Sequence, residues 1–156
     1  MSQQDTHNQV IFNIAGGWLG TYAYQPGSRL PPMRFEATFA ADPEQAGGFR
    51  GTILDDGPLG EATVTGSQSG RQVRFTKIYR ATKACYRTGP VEYEGTISDD
   101  GLNIAGTWRL TTNLLGLPLR TQGVWDARRR WHAEEEPEAV ADSESNKHIM
   151  REVALV

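Results

Sequence analysis

Few residues in this chain have the type and placement to do chemistry, and Lys77 leads them. It falls in the run Val73-Arg-Phe-Thr-Lys-Ile-Tyr79, on the same alternate set as Val73, Phe75 and Tyr79. A lysine on an apolar face loses hydration unless it is paired or reaches water. Such a side chain can hold a ligand carboxylate or act as a nucleophile with a lowered pKa. It can equally snorkel to a rim or pair with a neighbour. Phenols lie on comparable faces at Tyr22, Tyr24, Tyr79 and Tyr93, together with Phe35, Phe75, Trp108 and Trp125. Such a set would line a cavity suited to a planar or apolar small molecule, or else fill a core with its own rings. Cys85 has Arg80, Lys83 and Arg87 near it in sequence, and nearby cations lower a thiol pKa. The three histidines, His7, His132 and His148, lie towards the two ends of the chain, so no positioned base supports a Cys–His or Ser–His–Asp mechanism.

The elements that must position these residues are strands. Phe49-Arg-Gly-Thr-Ile-Leu-Asp-Asp-Gly57 recurs as Tyr93-Glu-Gly-Thr-Ile-Ser-Asp-Asp-Gly101, each an alternating run that enters an Asp-Gly turn. Period-two alternation marks eight such runs. They begin with Trp18, Gly20, Tyr22 and Tyr24 on one face and end with Leu119, Thr121, Gly123 and Trp125. Each has one apolar and one polar face, and the connections are short, so sequence neighbours should pair. Nothing before residue 130 reads as a covering helix. The expected fold is therefore all-β: an antiparallel up-and-down meander of about eight strands closed into a barrel, which removes exposed edges. Gly20, Gly51, Gly66, Gly95, Gly106 and Gly123 fall on the inward face. They let strands coil around a narrow barrel, leave room inside it, or both.

The meander also sorts the connections. Gln25–Pro32, Asp55–Gly60, Arg80–Pro90 and Asn113–Pro118 belong to one end, the top; Asp42–Gly48, Ser67–Gly70 and Asp99–Gly101 belong to the other. The longer top loops predict a mouth there and a closed base below. The apolar Leu114-Leu115-Gly116-Leu117-Pro118 would fold over the mouth, contact a partner or pack locally. Asp55-Asp56 and Asp99-Asp100 lie at opposite ends and lack the spacing of a calcium loop, so turn chemistry accounts for them and no metal site is expected. No cofactor is expected either.

The 156 residues suffice for one domain with tails. The organisation expected is an N-terminal arm over 1–15, a barrel over 16–131, and an acidic linker and C-terminal tail over 132–156. That tail begins near Glu134-Glu135-Glu136-Pro137-Glu138 and carries a possible short helix from Ser143. Net charge is −3, with no basic excess to neutralise phosphates, so nucleic acid is disfavoured as a partner. No apolar leader and no run of 18 apolar residues is evident, and the single cysteine cannot form an internal disulfide, which together point to the cytoplasm. Ile78 and Val124 on outer faces hint at a homo-oligomer.

The first strand opens Gly16-Gly17-Trp18 and the last ends Trp125-Asp126-Ala127-Arg128-Arg129-Arg130. These features, with Gly106-Thr107-Trp108 and the eight-run meander, resemble the calycin superfamily of lipocalins, fatty-acid-binding proteins and avidins, the avidins above all. The resemblance implies that Trp18 closes the barrel base and that Arg128 or a neighbour packs over it as a cation. Three functions follow as expectations. The first is a protein that holds a mostly apolar or aromatic small molecule inside the barrel. The alternatives are a cofactor-free isomerase or cyclase that uses the same cavity, and a filled barrel that serves as a protein-interaction module.

Overall fold

A computed structural model describes residues 12–80 and 89–133. Cys85 with Lys83 and Arg87, the acidic run after residue 133 and the expected helix from Ser143 lie outside the described residues, while Arg80 pairs with Glu61. Eight strands follow one another: β1 (Gly16–Tyr24), β2 (Met33–Ala41), β3 (Gly48–Asp55), β4 (Glu61–Ser69), β5 (Gln72–Tyr79), β6 (Val91–Ile97), β7 (Asn103–Leu114) and β8 (Leu117–His132). Each pairs antiparallel with the next, and β1 pairs with β8, so the sheet closes into a barrel in simple sequence order. The alternation that drives this is visible in burial. β6 reads strictly in–out over Val91, Glu92, Tyr93, Glu94, Gly95, Thr96 and Ile97, with apolar residues and glycine inside.

The boundaries differ from the sequence reading in three places. β3 runs on to Asp55, so this aspartate is a strand residue and not part of the top connection. β4 extends to Ser69, which shortens the turn at the base. Residues expected as the Asn113–Pro118 loop instead continue both strands to a two-residue turn, Leu115-Gly116, with both residues at positive φ. Past the Val91–Leu110 and Tyr24–Gly123 pairs, β7 and β8 pair, among the described residues, only with each other through four further rungs, from Thr111–Arg120 to Leu114–Leu117. That is a ribbon of about 13 Å projecting from the barrel. Leu115 at its tip is 96% exposed, so the apolar segment does not fold over the mouth.

The base is sealed. Trp18 is buried and donates its indole N–H to Ile14 O at 2.8 Å. A guanidinium lies 4.2 Å above the Trp18 ring, a cation–π contact, but it belongs to Arg129 and not to Arg128, which is exposed. Parity explains the correction: Trp125 and Ala127 point inward, so Arg129 must follow them. A bulge where β8 passes Gly17 and Trp18 brings Trp18 opposite Arg129.

Above the seal the interior is filled. Phe39, Phe49, Phe75 and Trp125 pack edge to face or tilted, with Ile53, Val64, Val73, Ile97 and Ile104 around them. Rings occupy the room that inward glycines leave. A Cβ at Gly95 would lie 2.7 Å from the Trp125 ring, and one at Gly123 would lie 2.7 Å from Trp108 Nε1. No helix among the described residues is long and apolar enough to cross a membrane.

Candidate functional site

Polar side chains converge inside the top of the barrel. Lys77, near the upper end of β5, is wholly buried and places Nζ 2.7 and 2.8 Å from the two carboxylate oxygens of Asp55. Asp55 is the last residue of β3 and is itself 4% exposed. β4 lies between the two strands and sets the small Ala62 opposite Ile53 and Tyr79, which leaves the pair room to meet across it. Tyr79 donates its hydroxyl to Asp55 Oδ2 at 2.5 Å, and Tyr22 donates to the same oxygen at 3.3 Å. The Asp55 carboxylate therefore accepts four hydrogen bonds, which is about its full capacity. The ammonium also lies 4.5, 5.2 and 5.9 Å from the ring centres of Tyr79, Tyr22 and Tyr93, so aromatic faces enclose it beyond the carboxylate.

Burial sets the protonation of this group. Desolvation lowers the Lys77 pKa from its ordinary value, and the Asp55 charge opposes that shift. The phenols move the other way. Burial raises Tyr22, Tyr24, Tyr79 and Tyr93 above 10.0, and the Asp55 carboxylate adds to each shift. They are donors, not bases, at neutral pH.

Next to this cluster is a chamber of about 50 Å3, lined by Tyr22, Tyr24, Leu59, Tyr79, Val91, Tyr93, Trp108 and Leu110. Of the residues singled out in the sequence, Tyr22, Tyr24, Tyr79, Tyr93 and Trp108 meet at this chamber. Phe35, Phe75 and Trp125 do not line it. Phe75 stacks on Tyr93 with ring centres 4.7 Å apart and packs on Trp125, and Phe35 tilts against Trp125. Lys77 lies behind the tyrosines, engaged by Asp55. Trp108 crosses Gly123 and donates its indole N–H to Ala23 O at 3.1 Å, which fixes the chamber wall to β1.

Asp55 is the principal residue the sequence reading missed as a site member. The signal was present: Phe49, Gly51 and Ile53 point inward, and one further step of two reaches Asp55. The Asp-Asp-Gly run read as a turn and hid it. The other three aspartates of the two Asp-Asp pairs are accounted for locally. Asp56 pairs with Arg34 and Asp99 with Arg71, while Asp100 accepts from Ser98 and the Leu102 amide.

Two hollows of about 550 Å3 are larger but lie elsewhere. One is an open trough on the outer face of β6–β8, between Glu92, Glu94, Arg109, Gln122 and Val124. The other lies at the base beside the Asp42–Gly48 turn. In neither do buried ionisable groups converge as they do at the top, which is why the chamber is the stronger candidate. No known family model matches this chain, and no curated protein matches it.

Proposed function

We propose that this barrel is a binding protein for a small, mostly apolar molecule, whose one polar end enters the top chamber. The observation that carries this reading is the chamber itself. It is a void walled by aromatic and aliphatic side chains beside a polar cluster already satisfied from within. At about 50 Å3 it is far smaller than the roughly 300–1,000 Å3 of a site that encloses a whole drug-sized molecule. Only the end of a ligand fits inside, with the rest lying across the rim near Leu59 and Leu110. The seal of Trp18 and Arg129 supports ligand entry at the top, and it is also the arrangement that a resemblance to calycins implies. Membership of that superfamily is part of the proposal.

Native mass spectrometry of protein purified from its own cell extract tests it. A co-purifying small molecule is expected on the wild type and absent from Leu110→Trp, which fills the chamber. Repeated preparations without any bound mass would overturn the reading and favour the filled-barrel interaction module.

One observation favours a second reading, a cofactor-free isomerase or cyclase. Donor groups converge on one wall of the chamber, as orienting a single substrate and stabilising developing negative charge require. The bound molecule would then be recovered with unchanged mass and altered chromatographic mobility after incubation with wild type. Recovery of unaltered molecule would leave carriage as the function.

A further inference from the structure

The sequence makes Lys77 the natural anchor for an anionic ligand, and the geometry argues against it. Both oxygens of Asp55 face the ammonium, and tyrosine rings enclose its remaining side. Lys77 is 0% exposed and does not line the chamber. Its charge is therefore cancelled by an internal partner and not offered to a ligand. Among the described residues that line the chamber, a carboxylate would meet phenols and no free cation. A buried anion without a cation of its own is strongly disfavoured.

The chamber offers hydroxyls. Among the described residues, the phenolic hydrogen bonds are those of Tyr22 and Tyr79 to Asp55, and Tyr24 and Tyr93 donate to no partner. Tyr93 is 3% exposed and lines the chamber. A buried hydroxyl without an acceptor is costly and calls for an oxygen opposite it. Tyr24, partly buried, stands in the same wall.

We infer that the chamber selects uncharged molecules whose inserted end is a carbonyl or hydroxyl oxygen accepting from Tyr93, and discriminates against carboxylates of the same shape. This rests on the binding reading above and adds the ligand class. Asp55 and Lys77 act as positioning residues: they fix the Tyr22 and Tyr79 hydroxyls and so leave Tyr93 and Tyr24 as the ligand's donors.

Matched probe pairs test it. Acetone and acetate share one shape, and acetophenone and benzoate share another, with charge as the difference. Titration is followed on the Trp108 indole N–H signal by NMR. The neutral member of each pair is expected to bind at least about tenfold more tightly, because the carboxylate sheds its hydration with no free cation to replace it. Tyr93→Phe is expected to weaken binding of both neutral probes about tenfold while remaining folded, since it removes the ligand's donor, a hydroxyl that has no partner among the described residues. Equal or tighter binding of the carboxylates would overturn the inference and leave the binding reading in place. Neutral-probe affinities unchanged in Tyr93→Phe would overturn the assignment of Tyr93. No response to any of the four probes, together with no co-purifying mass, would remove the binding reading itself.

Discussion

The two ends of this barrel each bury a cation, and they hold it in opposite ways. At the base, Arg129 gives its N–H groups to three backbone carbonyls: Gly101 at 3.0 Å, Ala15 at 3.1 Å and Asn13 at 2.6 Å. Its guanidinium face covers Trp18. At the top, Lys77 meets a carboxylate that also gathers two phenols. Among the described residues the base cation has only neutral acceptors, and a planar fork suits several fixed carbonyls at once. It works as a fastener between the segment before β1, the β6–β7 turn and β8. The top cation belongs to a titratable cluster, and the difference separates a seal from a site. Backbone carbonyls cannot change charge or be exchanged by evolution, whereas the Asp55 group can be retuned one side chain at a time.

Four predictions break or sharpen this contrast. The largest effect is alkaline. Above pH 10 the unfolded chain loses phenolic protons that the native protein keeps, so the native state binds more protons and stability falls as pH rises. Each phenol that stays protonated costs about 1.4 kcal/mol per pH unit. Lys77 has the opposite sign. Its folded pKa is lowered, so between that value and 10.5 the unfolded chain binds more protons and stability rises with pH. Urea midpoints should therefore rise gently or hold level on approach to pH 10, then fall steeply. A midpoint insensitive to pH above 10 would show that the phenols are not buried as described.

Next comes Lys77→Met, which strands a buried carboxylate and is expected to destabilise by about 3–5 kcal/mol in urea unfolding. Adding Asp55→Leu should return most of that loss, because a buried ion pair is often replaceable by apolar residues. Arg129→Met is expected to cost about 2–3 kcal/mol through its uncapped carbonyls. No single side-chain change can rescue it, since its partners are backbone. A rescue at the base, or none at the top, would erase the distinction between the ends. The smallest effects are those of the phenols. Tyr79→Phe should cost about 1.5–3 kcal/mol, as for a hydrogen bond to a charged group. Tyr93→Phe should be neutral or stabilising by about 1 kcal/mol, because it removes a buried hydroxyl that donates to no partner among the described residues.

The sequence carried the fold more openly than the site. One-sided antiparallel strands must alternate, and that alternation is written in Trp18–Tyr24, Val91–Ile97 and the other runs. Parity alone puts Lys77 inside, and applied one step further it puts Asp55 and Arg129 inside as well. The Lys77–Asp55 contact was not legible, because β4 stands between the two strands and no local pattern reports on a residue two strands away. Leu59 could not be read either, since it lies in the irregular connection between β3 and β4, where periodicity gives no facing. The division of the aromatics also escaped the pattern. Phe75 and Tyr93 alternate identically with their neighbours and face each other across β5 and β6, yet only Tyr93 reaches the chamber, a difference that alternation does not encode.

The order of strands has a consequence for the chain during synthesis. β8 leaves the ribosome last and is the only strand able to join β1 to β7. Until it arrives, seven strands form an open sheet with two bare margins, each a template for a neighbouring nascent chain. Crowded translation of this message should therefore favour intermolecular strand pairing, a hazard that closes once β8 has joined both margins and Arg129 clasps the segment before β1.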